Sequence, residues 1–221
     1  MTNLAIFIPA QEENRHNKLG DLAPFGDTTL LQWKISQCKD LVDSSHIYIS
    51  TNSKKIEEIA LNDGVNCFKR PSNETSINDQ LKLFANNIDN NNILWTNVTS
   101  PFLGSDSYIS MFEKYNKIPG CNLIISTVQK EEYAFFNNQK LNFDTLVSRS
   151  KIQAITLCTN GAYLFKTNFL RKENDIFDTD NICFYNLDSL SSVEIKDVAS
   201  YSIAQNLLAF YFSNMLKKTN V

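Results

Sequence analysis

Histidine, paired cysteines, excess positive charge and long apolar runs are scarce or missing in this chain of 221 residues. Lys and Arg number 21 against 24 Asp and Glu, so the net charge is -3 and no basic stripe suits a nucleic-acid backbone. A small-molecule ligand is the expected partner, with no nucleic acid. No apolar run approaches the roughly 20 residues that cross a bilayer, so no membrane partner is expected. Met1-Thr2-Asn3 lacks the basic segment and apolar core of a secretory signal, which points to a cytoplasmic protein. The five cysteines (Cys38, Cys67, Cys121, Cys158, Cys183) are odd in number and far apart, and only two histidines accompany them. Neither a zinc site nor a disulfide framework fits, and the expectation is small buried hydrophobes.

What is present is a repeating alternation. With 43% apolar residues and no internal repeat or linker, the chain can close one substantial core, a single domain over residues 1–221. A short apolar strand, Leu4 to Ile8, runs through Pro9-Ala10 into a polar loop from Gln11 to Lys18. In an open α/β sheet the carboxyl end of the first strand is where ligands are met. Arg15, His16 and Lys18 suit phosphate oxygens, Arg as a bidentate partner and Lys as a point charge. The alternative is an ordinary solvated first loop.

Pro24-Phe25-Gly26-Asp27 is turn chemistry, and Thr28 or Thr29 can cap a helix carrying Leu31, Ile35 and Cys38. Ile47 to Ile49 is a second buried strand, followed by a helix with Ile56, Ile59 and Ala60. Gly64 ends this unit, and Val65 to Phe68 reads as an edge strand. A further helix places Ile77, Leu81, Phe84 and Ile88 on one face. The strand Ile93-Leu94-Trp95 stops at Asn97-Val98-Thr99-Ser100-Pro101 before an amphipathic helix with Tyr108, Phe112 and Tyr115. Leu123 to Val128 and Gly161 to Phe165 are further strands, and a long helix runs from about Val198 to Phe212. The alternation implies a doubly wound, mainly parallel α/β sheet with right-handed crossovers. From about 131 to 156 the pattern breaks, and Phe135-Phe136 and Leu141-Asn142-Phe143 suggest a small protruding β arm covered by a partner subunit.

Several pieces then stand in order: Pro9-Ala10, Ile49 to Ser53, Lys69-Arg70-Pro71, Thr99-Ser100-Pro101, Asn160-Gly161-Ala162 and Val193-Glu194-Ile195. Together they resemble the acylneuraminate cytidylyltransferase family, the CMP-sialic-acid synthetases and their relatives, over nearly the whole chain. The resemblance implies a nucleotide-diphospho-sugar transferase-like fold, a homodimer, and Mg²⁺-assisted coupling of CTP to an acidic sugar or related acidic acceptor with release of pyrophosphate. Carried onto this sequence, it assigns Arg15 to the leaving group, with Lys18 as a substitute cation. Ala10, Gln11, Asn14, Arg70 and Ser76 would meet the nucleotide. Asn97, Thr99 and Asn160 would face the acceptor or ribose, and Glu194 would hold the metal.

The chain departs from the family pattern at the opening loop. Gln11 stands at its Arg, Glu12 and Glu13 at two glycines, Asn14 at its Ser, Arg15 at its Lys, Gly20 at a second Lys and Asp21 at its Asn. Glycines let backbone amides approach a triphosphate, whereas two carboxylates repel it unless they point away or hold a metal. The family's Asp-x-Asp reads Glu194-Ile195-Lys196, and of these only Glu194 can ligate a hard cation. A non-catalytic family member that acts as a binding or assembly partner is the competing expectation. For Arg70 the bland alternative is a surface pair with Glu74.

Overall fold

A computed structural model describes residues 3–70, 76–173 and 175–218, with side chains as far as 213. In chain order the elements are β1 (Leu4–Pro9), β2 (Pro24–Phe25), β3 (Thr28–Thr29), α1 (Leu30–Lys39), β4 (Ile47–Thr51), α2 (Lys54–Asn62), β5 (Asn66–Lys69), α3 (Ile77–Asn86), β6 (Asn92–Thr96) and α4 (Ser105–Lys117). They continue with β7 (Leu123–Lys130), β8 (Phe135–Phe136), β9 (Gln139–Lys140), β10 (Ile155–Lys166), α5 (Thr167–Lys172), β11 (Ile182–Asn186) and α6 (Val198–Lys218).

Seven strands form one sheet in the order β11-β7-β10-β6-β1-β4-β5. β1 pairs in parallel with both β4 and β6, β4 with β5, and β7 with β11; β10 alone runs antiparallel to its neighbours β6 and β7. Along β1 successive side chains alternate faces, as a strand requires. Leu4, Ile6 and Ile8 enter the core shared with α1, α2, α4 and α6, while Ala5 and Phe7 enter the one shared with α3 and α5. Phe7 is packed against Phe84 at 4.7 Å between ring centres and against Phe68 at 6.1 Å. Truncating a ring buried this well costs about 3–5 kcal/mol.

The helix starts follow from local chemistry. Thr29 caps α1 by accepting the Gln32 N–H at 3.2 Å, and Ser53 caps α2 by accepting the Ile56 N–H at 3.1 Å. Ile77 is a correction, because it is 50% exposed at the start of α3 while Leu81, Phe84 and Ala85 face the core. Residues 192–197 are an irregular approach to α6, and Asp197 caps that helix through the Ser200 N–H at 2.8 Å. The cysteine expectation also needs correcting. Cys121 and Cys183 are disulfide-bonded, with Cα atoms 6.3 Å apart, Cys183 lying in β11 and Cys121 two residues before its neighbour β7. Cys38 is buried, Cys67 half-buried and Cys158 exposed.

The irregular stretch at 131–156 contains the small β8–β9 hairpin. Buried Asn142 organises it, accepting the Ala134 N–H and donating to the Glu132 and Gln153 carbonyls. Phe143 packs edge-on against Tyr133 and Phe135. Phe135, Phe136, Leu141 and Leu146 are exposed, the last at 88%. Among the described residues no helix is long and apolar enough to cross a membrane.

Candidate active site

After β5 the chain returns through α3 to place β6 on the far side of β1, and this reversal opens a crevice at the strands' carboxyl ends. The crevice is a cleft of about 230 Å³. Its floor is Phe7, Pro9 and Trp95; Ile77 and Gln80 of α3 form one wall; and Gln11, Asn14, Asp21, Arg70, Asn97 and Asn160 supply the polar rim.

The loop after β1 is cross-tied. Asp21, 4% exposed, accepts the Gln11 N–H at 2.8 Å and the Asn14 side-chain amide at 3.3 Å, and its own N–H donates to the Gln11 carbonyl at 2.9 Å. Burial pushes the Asp21 carboxyl up from its ordinary range, and the Gln11 N–H and the His16 charge oppose that rise. Gly20 allows the closure: at φ +54° its α-carbon sits where an added Cβ would lie 2.3 Å from the Gln11 carbonyl oxygen. Asn14 and Asn17 exchange backbone hydrogen bonds at 3.2 Å, so Arg15 and His16 form the tip of a tight turn.

Glu12 and Glu13 stay out of the cleft, whereas Asp21 lines it. Glu12 accepts the Ser53 hydroxyl at the head of α2, and neither Glu12 nor Glu13 lines the crevice. Arg70 lies across the ends of β1 and β4, donating to the Ser50 hydroxyl at 3.1 Å, to the Ser50 carbonyl and to the Ala10 carbonyl at 3.2 Å. On the opposite rim Asn97 donates to the Asn160 carbonyl at 2.7 Å, and Asn160 donates to Glu194 at 3.3 Å. The other Glu194 oxygen is 3.1 Å from the Lys196 ammonium.

A family model described as Cytidylyltransferase matches residues 18–194. The chain belongs to that family. No curated protein matches it. Among solved structures it is similar to CMP:2-keto-3-deoxy-manno-octonic acid synthetase complexed with CTP, at 11% identity and a TM-score of 0.74, over 94% of this chain and 99% of that one. It is also similar to 4-diphosphocytidyl-2C-methyl-D-erythritol synthase from Anaerococcus prevotii DSM 20548, at 12% identity and 0.68, over 93% and 98%. A third is a cytidylyltransferase from Leptospira borgpetersenii serovar Hardjo-bovis (strain JB197), at 16% and 0.67, over 100% and 96%. The mostly parallel seven-stranded sheet flanked by helices is the nucleotide-diphospho-sugar transferase fold of cytidylyltransferases.

The fold gathers Gln11, Asn14, Arg70, Asn97 and Asn160 around one cleft, with Ala10 behind Arg70 and Glu194 behind Asn160. Other expected residues stand elsewhere. Arg15 and Lys18 are exposed on the loop outside the lining. Arg15 faces Asp197, whose carboxyl is held below its ordinary range by the Ser200 N–H and hydroxyl first and by the Arg15 charge last. His16 turns inward, 2% exposed, and donates to the Gly20 carbonyl at 3.2 Å, so it does not reach outward as a phosphate ligand. Ser76 caps α3, accepting the Asp79 N–H at 3.0 Å and donating to the Asp79 carboxylate at 2.7 Å. Thr99 offers its carbonyl to the Ile195 N–H at 2.8 Å, which ties the loop after β6 to the Glu194 segment. Glu74 lies outside the described residues.

The site also uses residues that pattern reading passed over. Asp21, Gln80 and Trp95 line the cleft. Asp21 read only as a mismatch to a family motif, and its pairing with Gln11 depends on loop closure. As for metal, no group of three His, Cys, Asp or Glu side chains gathers among the described residues. Mg²⁺ needs less from a protein, since it keeps several waters and takes one or two carboxylates plus substrate phosphates. Glu194 is a single carboxylate of that kind behind the rim, with one oxygen accepting from Asn160 and the other 3.1 Å from the Lys196 ammonium.

Proposed function

We propose that this protein is a cytidylyltransferase that joins CTP to an acidic sugar or related acidic acceptor, in the manner of the acylneuraminate subfamily. The observation that carries the reading is the cleft at the β1–β6 reversal, rimmed by Arg70 and carboxamides and kept clear of Glu12 by Ser53. In the reaction an acceptor oxygen attacks the α-phosphorus, the bond to the β-phosphate oxygen breaks, pyrophosphate leaves and the acceptor's proton passes to solvent. Positioning and charge stabilisation do most of such work.

Arg70, already oriented by Ser50 and Ala10, faces the nucleotide beside Gln11 and Asn14. Asn97 and Asn160 meet the ribose or acceptor, and Arg15 at the turn's tip and Lys18 just past it neutralise the leaving pyrophosphate. Mg²⁺ held by Glu194 would add Lewis-acid stabilisation of the phosphate oxygens when bound. The exposed Phe135, Phe136, Leu141 and Leu146 support a homodimer clasped through the arm at 131–156.

A second reading, a non-catalytic family member acting as a binding partner, rests on Glu194 being occupied by Lys196 and Asn160. Thermal shift with CTP, UTP, ATP and GTP, with and without Mg²⁺, separates the two. A ligand at 100 times its Kd stabilises by about 2.7 kcal/mol. That raises Tm by roughly 5–11 °C in a domain of this size. A Mg²⁺-dependent CTP shift that Arg15→Ala abolishes, with pyrophosphate release on adding an acidic sugar, supports the enzyme. No shift with any nucleotide leaves only the second reading.

A further inference from the structure

Lys34 is fully buried on α1, and no carboxylate lies within ion-pair distance of it among the described residues. Its ammonium donates to the carbonyls of Ser100 at 2.9 Å and Leu103 at 2.7 Å and to the Tyr108 hydroxyl at 3.0 Å. A buried cation without a counter-charge is costly, so three well-directed acceptors are needed for it to persist at all. Two neighbours on the same helix act on the same loop: Trp33 and Gln37 both donate to the Pro101 carbonyl, at 2.6 and 2.8 Å. One face of α1 therefore grips three carbonyls of the loop that follows β6.

The grip extends to the cleft. Tyr108 shares a hydrogen bond with Thr96 at 2.6 Å, Thr96 donates to the Gly161 carbonyl at 2.9 Å, and that carbonyl also accepts the Asn97 N–H at 3.3 Å. If Lys34 donates to Tyr108, Tyr108 donates to Thr96 and Thr96 to Gly161, every proton in the chain is spoken for. At Gly161 the packing is close, and an added Cβ would fall 2.7 Å from Leu103 Cδ2, so the Leu103 side chain would have to shift. We propose that Lys34 is a positioning residue: it clamps the loop after β6 from beneath and, through Tyr108, Thr96 and Gly161, sets Asn97 at the rim of the cleft.

The proposal rests on the cytidylyltransferase reading for its kinetic consequence but not for its structural one. Burial lowers the Lys34 amine to about 7, so one of its three protons is lost near neutrality. The titratable groups facing it are Cys38 on its own helix and Tyr108 on α4, with Asp40 beyond Cys38 and Tyr211 of α6 beyond Tyr108.

The experiment is amide hydrogen exchange on Lys34→Met, Lys34→Gln and Tyr108→Phe, paired with CTP binding and turnover. Leaving buried carbonyls unpaired should speed exchange at the Ser100 and Leu103 amides by about tenfold or more in Lys34→Met, with Lys34→Gln intermediate. Misplacing Asn97 should lower kcat/KM by roughly ten- to a hundredfold. The wild-type kcat profile should show a step near pH 7 that Lys34→Gln lacks. If Lys34→Met does not fold, Tyr108→Phe, which keeps the ring and removes only the relay hydroxyl, must speed exchange at Asn97 in its place. Wild-type exchange rates in the folded variants overturn the clamp. Absence of any turnover in the wild type counts against the enzyme reading alone, because the exchange measurement still decides the clamp.

Discussion

Gly20→Ala tests whether the loop after β1 is closed by backbone fit. At φ +54° a residue with a Cβ is disfavoured by about 1–2 kcal/mol. The added carbon would also lie 2.3 Å from the Gln11 oxygen and 2.5 Å from the Glu12 carbonyl carbon. Both are backbone atoms, so no rotamer change relieves the overlap and the loop has to open. Opening breaks the Asp21 N–H bond to Gln11, worth about 1 kcal/mol, and the charge-assisted bond from the Gln11 N–H to Asp21, worth about 1.5–3 kcal/mol. An open loop escapes both the strain and the overlap, so the variant loses the two hydrogen bonds, about 2.5–4 kcal/mol. Because the loop can open by itself, the loss appears locally before it appears in global unfolding. Hydrogen exchange should show the Gln11 and Asp21 amides unprotected in the variant, and CTP titration should show affinity reduced by about tenfold or more. Wild-type protection at Gln11 together with an unchanged Tm would refute the reasoning.

Asp21 has a carboxyl raised by burial, so the fold binds its proton more tightly than the unfolded chain does, and stability from this group falls as pH rises above 3.8 through the folded value. Asp21→Asn should flatten the urea-midpoint profile across that window; a profile still parallel to wild type would contradict it. Ser76→Ala removes the α3 cap and should lower stability by about 1 kcal/mol, or roughly 2–4 °C in Tm. If that hydroxyl serves only the helix, the Kd for CTP is unchanged, and a large loss of affinity would return Ser76 to the nucleotide site. Lys34 runs the opposite way to Asp21. Between about 7 and 10.5 the unfolded chain holds a proton that the fold does not, so stability rises with pH there, and Lys34→Met should abolish the rise in thermal melts. Phe135→Asp with Phe136→Asp should convert a dimer to a monomer in light scattering, and a dimer that survives both changes rules out the arm as its clasp.

The alternation of short apolar strands with amphipathic helices was enough to establish the layered α/β architecture, the edge position of β5 and the break at 131–156. Those features depend on periodicity and turn chemistry, which are local. That Gln11, Asn14, Arg70, Asn97 and Asn160 share one cleft was also legible, because motif order set Gln11, Arg70 and Asn97 just past the ends of β1, β5 and β6, with Asn14 farther along the first loop and Asn160 within β10. What the sequence could not decide was which side chain meets which across long separations. Glu12 beside Glu13 reads as repulsion toward a phosphate until Ser53, 41 residues away, is seen to draw it aside. Lys34 falls on an apolar helix face and Asp21 in a polar loop, yet both are buried, because their acceptors and donors come from the loop after β6 and from Gln11. The reversal of β10, the Cys121–Cys183 bond and the Ser76 cap belong to the same class. Each is settled by contacts that exist only once the sheet has assembled, and periodicity reports burial without naming the partner.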